Sequence, residues 1–401
     1  MPIEPHLFPP NRHSRREWLS GSLRLGGALA ALQVRASTDP VKPRPWNRPI
    51  PLGRSGVQVT PLGFGCEGAK DPQLIRRAVD LGITHFNSFP DRGDLGNFPV
   101  VGEALRPVRS QIVLASGSNH RTRTGLLEDL DRQLKAFNTD HVDLFYLLAV
   151  SKAESLTDEL IEALRTARQA GKIRAGALST HGFAAVLPRL LAGTDTIKAL
   201  MVTCNFASWD SGGWTEALPA IRQLRDTGVG IVAMKSLLGG MGEPPTGRKR
   251  LGEALKTPAG RSRVMAAALR WVLGNELVDT VPLLIQSAEE LEASTQAAAA
   301  VLTADDERLL TAAVHQARPG LCRLCPTCTA SCRAGLPVSE VMRMLMYAEG
   351  YGDLGRGQAA FATLSDRLGA VRCGDCPECT ARCPNGVRVK ARMSVAQACL
   401  T

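Results

Sequence analysis

Short apolar runs alternate with amphipathic stretches from residue 51 to about residue 300. The apolar runs are rich in β-branched residues and are typical of buried strands at 61–65, 83–87, 111–116, 142–148, 173–178, 199–204, 230–234 and 279–285. Between them, apolar residues recur at helical spacing, for example in 72–81, 124–137, 157–170 and 261–273. Eight strand–helix units over roughly 250 residues predict an α/β fold, a (β/α)8 TIM barrel.

The segments that flank this pattern set the predicted domain limits. Residues 51–60 contain two glycines and predict a hairpin that closes the bottom of the barrel, and 303–317 predict one more helix. Residues 37–50 contain four prolines and no periodic pattern, which is typical of a linker. We therefore predict a barrel domain over 51–317 and a separate C-terminal domain over 318–401.

The C-terminal domain carries eight cysteines in two copies of one spacing, C-x2-C-x2-C-x3-C. The copies begin at positions 322 and 373, 51 residues apart, and comprise Cys322, Cys325, Cys328, Cys332, Cys373, Cys376, Cys379 and Cys383. This is the run with which bacterial ferredoxins hold [4Fe–4S] clusters, and Pro384 follows the second copy as it does there. Arg333 follows the first copy instead, so that copy is the less typical of the two.

In two-cluster ferredoxins the fourth cysteine of each run binds the other cluster. The resemblance therefore implies one ligand set of Cys322, Cys325, Cys328 and Cys383, and a second set of Cys373, Cys376, Cys379 and Cys332. It predicts a small, mostly helical, ferredoxin-like iron–sulfur domain with two [4Fe–4S] clusters. Tetrahedral zinc and disulfide-rich loops remain alternatives for the same cysteines.

The formal net charge of +10 is spread along the chain. No stripe of Lys and Arg with interleaved aromatic residues is present, so we do not expect a nucleic-acid partner. Residues 320–401 hold ten basic and six acidic residues. Two oxidised clusters with their thiolates carry about −2 each, so this basic surplus is roughly what they require.

The first 36 residues are typical of a twin-arginine export signal. The motif is Ser14-Arg15-Arg16-Glu17-Trp18-Leu19. An apolar stretch over 25–34 follows, and Ala36 offers a cleavage site before Ser37. The stretch is too short to span a bilayer, which needs about 20 residues, so the membrane is expected only as the export route. We predict a periplasmic or other extracytoplasmic location; a disordered basic tail is the alternative.

The barrel portion resembles the aldo-keto reductase family over nearly its whole length. The motifs that carry the resemblance are Leu62-Gly63-Phe64-Gly65, Ala78-Val79-Asp80-Leu81-Gly82-Ile83, Val142-Asp143-Leu144, Gly171-Lys172-Ile173-Arg174 and Ala233-Met234-Lys235. Ser179-Thr180-His181 resembles a branch of the family with C-terminal iron–sulfur motifs. The resemblance implies carbonyl reduction with NADPH at the C-terminal ends of the strands.

The family's chemistry uses a Tyr proton donor, a Lys and an Asp that tune it, and a His that orients the carbonyl. At the matching positions this chain has Asn87 for Asp, Arg92 for Tyr, Gly117 for Lys and Leu148 for His. We therefore predict that no residue of the tetrad is retained for catalysis. Arg92 stays protonated and would hold an anion or pair with a neighbouring carboxylate.

The resemblance also implies nucleotide-contacting positions, namely Ser179, Thr180 and Lys235. Only the serine of the family's Ser-Asn pair is kept, and 282–286 are bulkier and more neutral than a 2′-phosphate site requires. The sequence thus does not predict that NADP is retained. His181 is a candidate for proton handling or for a hydrogen-bonded structural role.

These observations predict an exported iron–sulfur electron-transfer protein with a degenerate tetrad. Its expected partner is a redox protein or a small polar molecule. One alternative is an active NAD(P)-dependent carbonyl oxidoreductase with a non-standard proton donor such as His181. Another is a non-catalytic structural subunit whose clusters only stabilise the tail.

Overall fold

The computed structural model describes residues 44–67, 69–90, 95–150, 152–181, 183–191, 195–208, 212–237, 258–317, 322–325, 327–350, 353–364, 373 and 375–401. The predicted export signal, most of the linker and Arg92 lie outside these residues. The barrel and the C-terminal tail belong to the same compact unit of the chain, Lys42–Thr401. Within the described residues, no helix is long and apolar enough to cross a membrane.

Eight parallel strands form the barrel, and each falls on a run that the sequence predicts. They are β3 (Leu62–Gly65), β4 (His85–Asn87), β5 (Val113–Ser118), β6 (Val142–Leu147), β7 (Ile173–Thr180), β8 (Ile197–Thr203), β9 (Gly230–Met234) and β10 (Val281–Leu284). Each pairs with its neighbour in chain order, and β10 pairs with β3. A parallel bridge between Val232 and Thr280 joins β9 to the start of β10 and closes the sheet. The prediction of a (β/α)8 barrel is confirmed.

Helices follow the strands around the outside of the barrel. They are α1 (Pro72–Asp80), α2 (Phe98–Leu105), α3 (Arg123–Phe137), α4 (Asp158–Gln169), α5 (Phe183–Leu191), α6 (Gly212–Asp226), α7 (Pro258–Leu273), α8 (Ala288–Ala298) and α9 (Ala304–Ala317). Asp71, Thr122 and Thr157 begin α1, α3 and α4 by accepting a backbone N–H of the first turn. The apolar faces of α1 to α8 pack on the outer face of the strands in one continuous core, whereas Leu310 and Ala313 of α9 pack with part of α7 in a smaller cluster.

A short hairpin, β1 (Ile50–Pro51) and β2 (Gln58–Val59), lies under the barrel as predicted. Its Leu52, Val57 and Val59 pack against the inward-facing side chains of the strands. Gly53 has φ +52, and a Cβ there would lie 2.4 Å from the Gly228 carbonyl oxygen. Glycine is needed here because the hairpin approaches the β9 entry without room for a side chain. The opposite, C-terminal rim of the strands is thereby left for a functional site.

Four helices are described in the tail: α10 (Thr327–Ala330), α11 (Val338–Gly350), α12 (Leu354–Ala362) and α13 (Val389–Cys399). They enclose a core of their own, whose members include Leu336, Val341, Leu345, Phe361 and Met393. Six of the eight cysteines of the double run pack against or within this core. The tail therefore has a hydrophobic interior separate from that of the barrel.

Candidate functional site

The tetrad positions that the structure describes lie at the C-terminal rim of the barrel. Asn87 is the last residue of β4, Gly117 lies near the end of β5, and Leu148 directly follows β6. Gly117 is in register with Tyr146, so these three strands present their ends side by side. This is the edge at which (β/α)8 enzymes build their active sites.

Asn87 contacts a carboxylate that the sequence did not single out. Its Nδ2 donates to Oε1 of Glu67 at 3.4 Å, and the backbone N–H of Phe89 donates to the same oxygen at 3.2 Å. Burial raises the pKa of Glu67, against the effect of these hydrogen bonds. A carboxyl group thus remains at this rim, although it comes from the end of β3.

Gly117 leaves no space for the lysine of the family tetrad. A Cβ at this position would lie 2.6 Å from the Tyr146 carbonyl oxygen, 2.8 Å from Tyr146 Cβ and 3.0 Å from Leu148 Cδ2. Distances below 3.0 Å mean that the backbone of β6 would have to move. The glycine is therefore required by the close approach of β5 and β6.

The barrel interior beneath these positions is mostly apolar. The fully buried Tyr146 ring packs edge-on against Phe89, with 5.6 Å between centroids and 89° between planes. Its hydroxyl has no hydrogen-bond partner among the described residues, and burial raises the pKa of Tyr146. Tyr146 is thus a poor proton donor near neutral pH.

The three predicted nucleotide-contacting positions lie along the same rim. The Ser179 hydroxyl accepts the N–H of Ala149 at 3.0 Å, which ties it to the loop after β6. Thr180 is fully buried at the end of β7. Lys235 follows β9 with φ +55, a left-handed conformation that is uncommon for a residue other than glycine. Such a backbone persists only where the surrounding structure holds it.

Helices of the tail cover this side of the rim. The Lys235 Nζ lies 4.8 Å from the centroid of the Tyr347 ring of α11, and Cζ of Arg356 lies 4.9 Å from the same centroid. Arg343 donates from Nη1 to the Tyr347 hydroxyl at 3.0 Å. We call Lys235, Arg343, Tyr347 and Arg356, together with His181, the rim cluster.

Cations set the protonation of the rim cluster. Burial alone would raise the pKa of Tyr347, but the charges of Lys235, Arg343 and Arg356 together lower it to about 8. Burial, helped by the two arginines, lowers the pKa of Lys235 to about 8. Burial and the same three cations lower the pKa of His181, whose Nδ1 lies 3.3 Å from Thr203 Oγ1. Tyr347 and Lys235 therefore titrate close to neutral pH, whereas His181 is neutral there.

All eleven cysteines lie within the described residues, and all are free thiols. Burial raises the pKa of Cys322 to about 12, and the charges of Cys328, Cys325 and Cys383 raise it further. Burial raises the pKa of Cys373 to about 11, with added effects of Cys332, Cys376 and Cys379. The thiols that act on each other are therefore the members of the two ligand sets that the spacing predicts.

Hydrogen bonds join the two cysteine runs directly. The N–H of Arg333 donates to Thr380 Oγ1 at 2.8 Å, and the N–H of Arg382 donates to Ser331 Oγ at 3.0 Å. The Asn385 amide reaches the Cys325 sulfur at 3.9 Å across the same junction. Each run thus brings its fourth cysteine next to the other run.

Among the described residues, no three His, Cys, Asp or Glu side chains lie close enough to share a single metal ion. A [4Fe–4S] cluster binds its four cysteines through four different irons, so the thiols surround it at a wider spacing. The two thiol sets have the number and the type of ligands that two such clusters would need.

One cavity connects the cysteines to the barrel rim. Cys322, Arg323 and Leu324 line it from the tail, and Thr203, Asn205 and Lys235 are among the residues that line it from the ends of β8 and β9. It has about 20 Å³ of room for water, enough for about one ordered molecule. The first cysteine run and the rim cluster are therefore neighbours through Lys235.

A closed parallel barrel whose polar side chains gather at the C-terminal rim defines the (β/α)8 class of enzyme folds. The sequence profile of the Aldo/keto reductase family matches residues 68–314, most of the barrel. The chain belongs to the aldo/keto reductase family. The match ends before the first cysteine of the double run.

Curated relatives are similar to part of the chain. An uncharacterised oxidoreductase of Bacillus subtilis, YqkF, is 28% identical over 159 residues, which are 35% of this chain and 49% of that protein. The chain thus spans about half the length of this relative. L-glyceraldehyde 3-phosphate reductase of Escherichia coli is 26% identical over 300 residues, which are 61% of this chain and 86% of that enzyme.

Solved structures show the same fold. An aldo-keto reductase from Bacillus halodurans in its holo form is 24% identical, with a TM-score of 0.53 over 66% of this chain and 95% of that one. An aldo/keto reductase from Klebsiella pneumoniae in complex with NADP and acetate is 20% identical. Its TM-score is 0.52 over 65% of this chain and 94% of that one. These similarities establish the barrel architecture.

Proposed function

We propose that this protein is an exported iron–sulfur redox protein, in which an aldo-keto reductase barrel without the family tetrad is joined to a two-cluster [4Fe–4S] domain. The single observation that carries the proposal is the grouping of eight free thiols into two sets of four. The barrel over 51–317 then provides the rim, and the tail over 318–401 provides the cysteines.

The residues divide the work as follows. Cys322, Cys325, Cys328 and Cys383 would hold one cluster, and the other set would hold the second. Bound clusters of this type supply one-electron transfer. The rim residues Thr203, Asn205 and Lys235 line the cavity that Cys322 also lines, so a small polar molecule at the rim would lie close to the first set.

The leader supports an extracytoplasmic location. Twin-arginine export carries proteins that have already folded around a cofactor. Eight thiols exported unfolded would meet an oxidising compartment and form disulfides. The two cysteine runs of the tail and the predicted twin-arginine leader are therefore consistent with each other.

Iron content tests the ligand sets. Anaerobically purified protein should carry about eight irons and give an EPR signal on reduction, because each cluster holds four. Cys383→Ser should remove the set that contains Cys322, and Cys332→Ser the other set. Either change should halve the iron, and the residual EPR signals of the two variants should differ.

Cys399→Ser is the matched control, because Cys399 belongs to neither run and its sulfur donates to the Val395 carbonyl oxygen at 2.9 Å. It should keep the full iron content. A folded, iron-free wild-type protein would refute the cluster assignment. Stoichiometric zinc in its place would favour the zinc alternative.

A second candidate is a working NAD(P)-dependent carbonyl oxidoreductase with a non-standard proton donor. The observation that favours it is the presence of Ser179 and Lys235 at the rim of a barrel of this family. Titration with NADPH, followed by nucleotide fluorescence, separates the two functions. Binding in the micromolar range that Lys235→Met weakens would favour the reductase, whereas no binding at millimolar NADPH would exclude it.

A further inference from the structure

We propose that Tyr347 and Lys235 form a proton-transfer site, built jointly by the tail and the barrel, that takes up a proton when an electron is added at the neighbouring Cys322 ligand set. The electron part of this inference rests on the function proposed above. The proton part rests on the geometry of the rim cluster alone. Neither residue belongs to the tetrad positions of the family.

The contacts define the site. The Tyr347 hydroxyl receives a hydrogen bond from Arg343 at 3.0 Å, and Lys235 and Arg356 lie against the ring at 4.8 and 4.9 Å. Tyr347 is only 8% exposed. A phenol that is removed from water and surrounded by three cations is stabilised as phenolate, because each positive charge favours the ionised form.

The surrounding charges do not cancel this effect. Glu340 binds Arg343 at 2.8 Å on α11, and Arg356 acts on Glu67 at the end of β3. The Asp353 carboxylate accepts the backbone N–H of Arg356 at 2.8 Å at the start of α12. His181, which directly follows β7, is neutral at these pH values. On balance the charges of Lys235, Arg343 and Arg356 still lower the pKa of Tyr347.

Lys235 connects this site to the first cysteine run. Its side chain lies over the Tyr347 ring and also lines the cavity that Cys322 and Arg323 line. Negative charge added on the Cys322 side of the cavity therefore acts on Lys235 and Tyr347 over a short distance through largely buried surroundings. In such surroundings charges interact more strongly than in water.

The step balances in charge. An external one-electron reductant adds one electron on the Cys322 side. One proton from water then forms the O–H bond of Tyr347, so that the region gains no net charge. Oxidation reverses both movements. Lys235, which also titrates near pH 8, is placed between the cavity and the phenolate and can pass the proton.

The sign of the pH effect follows from these charges. Tyr347 is protonated below about pH 8, so an added electron takes up no proton there and the midpoint potential is independent of pH. Above that pH the oxidised form carries a phenolate, which the added electron makes more basic. Reduction then takes up one proton, and the reduction equilibrium falls tenfold per pH unit, or about 59 mV.

Redox titration of the holoprotein, followed by EPR from pH 6 to 10, tests the coupling. The relevant signal is the one that Cys383→Ser removes. In wild type its potential should be flat below about pH 8 and fall above it. Tyr347→Phe should abolish the slope. Lys235→Met should move its onset to higher pH, because the phenolate loses one cation.

Tyr146→Phe is the matched control, since it removes the other described tyrosine, which lies in the barrel interior away from these cations. It should leave the pH profile unchanged. A slope that survives in Tyr347→Phe, or a potential that does not depend on pH in wild type, overturns the coupling.

A second readout does not depend on clusters. The chain has three tyrosines, and near-ultraviolet absorption of tyrosinate in the full-length protein should show one ionising about two pH units below the ordinary value of about 10. Tyr347→Phe should remove that component. Its absence from wild type would overturn the proton site. Its presence in an iron-free protein would support the proton site and reject the proposed function.

Discussion

At the scale of single residues, the polar groups at the barrel rim come from several different elements. Asn87, at the position predicted to match the family's aspartate, contacts Glu67, one strand away, through its amide. A tyrosine and a lysine also meet at the rim, although Tyr347 comes from the tail. Sequence reasoning placed Asn87, Gly117 and Leu148 at strand ends because they lie in or just after recognisable strands. It missed Glu67 and Tyr347 because only tertiary contacts bring them to this site.

A buried histidine makes stability depend on pH at the same scale. His85 is fully buried in β4, its Nδ1 lies 3.0 Å from Thr280 Oγ1, and burial lowers its pKa to about 4 from 6.5. Between these two pKa values, His85 is protonated in the unfolded chain but neutral in the folded protein. Neutral His85 therefore contributes fully to the free energy of unfolding above pH 6.5. This contribution, up to about 3 kcal/mol, is lost as the pH falls to about 4.

We expect His85→Gln to flatten this part of the pH profile. The measurement is the free energy of unfolding by urea at several pH values between 4 and 7, on anaerobically purified protein. His120→Gln, at an exposed position, controls for loss of a histidine. An unchanged slope in His85→Gln would show that other groups cause the acid sensitivity.

At the scale of elements, the period of apolar residues predicted all eight barrel strands, because a buried parallel strand is a short continuous apolar run. The bounds differ by a few residues where the final turn of a helix or the entry to a strand depends on its partner. Contacts between elements were not predictable in this way. The approach of β5 to β6 at Gly117 depends on atomic distances that no periodicity contains.

The junction of α2 and α3 is such a contact. Phe98 and Phe137 stack with 4.0 Å between ring centroids, and a Cβ on Gly102 would lie 2.0 Å from the Phe137 carbonyl oxygen. We expect Gly102→Ala to destabilise the protein by about 1–3 kcal/mol, because the helices must separate. Glu103→Ala, one residue on and exposed, should change stability by less than about 0.5 kcal/mol. Chemical unfolding measures both, and equal effects would contradict the packing argument.

At the scale of the whole molecule, two hydrophobic cores meet across polar contacts at the barrel rim. The barrel has one continuous core around its strands, and the tail has another around α11 and α13. The sequence predicted a division between barrel and tail from the end of the strand–helix pattern and from the cysteine runs. It gave no information on their docking, since Lys235 and Tyr347 are more than one hundred residues apart and carry no shared motif.

Because the barrel and the tail have separate cores, we expect removal of iron to unfold the tail and leave the barrel folded. If the two thiol sets hold clusters, chelation under anaerobic conditions should unfold the tail, because ligand binding and folding are coupled in small metal domains. Limited proteolysis should then cleave within 318–401 and leave a barrel fragment with far-ultraviolet circular dichroism of an α/β protein. If the tail of the chelated protein stays resistant to proteolysis, hydrophobic packing alone would be sufficient to keep it folded.

The glycine at position 117 limits how this protein could regain its relatives' chemistry. Tyrosine, aspartate and histidine could be introduced by three substitutions. A lysine at position 117 of β5, however, would clash with the main chain of β6. A side chain at this position is therefore excluded by the close approach of β5 and β6. An engineer who wishes to place a lysine here would first have to widen the spacing of the two strands.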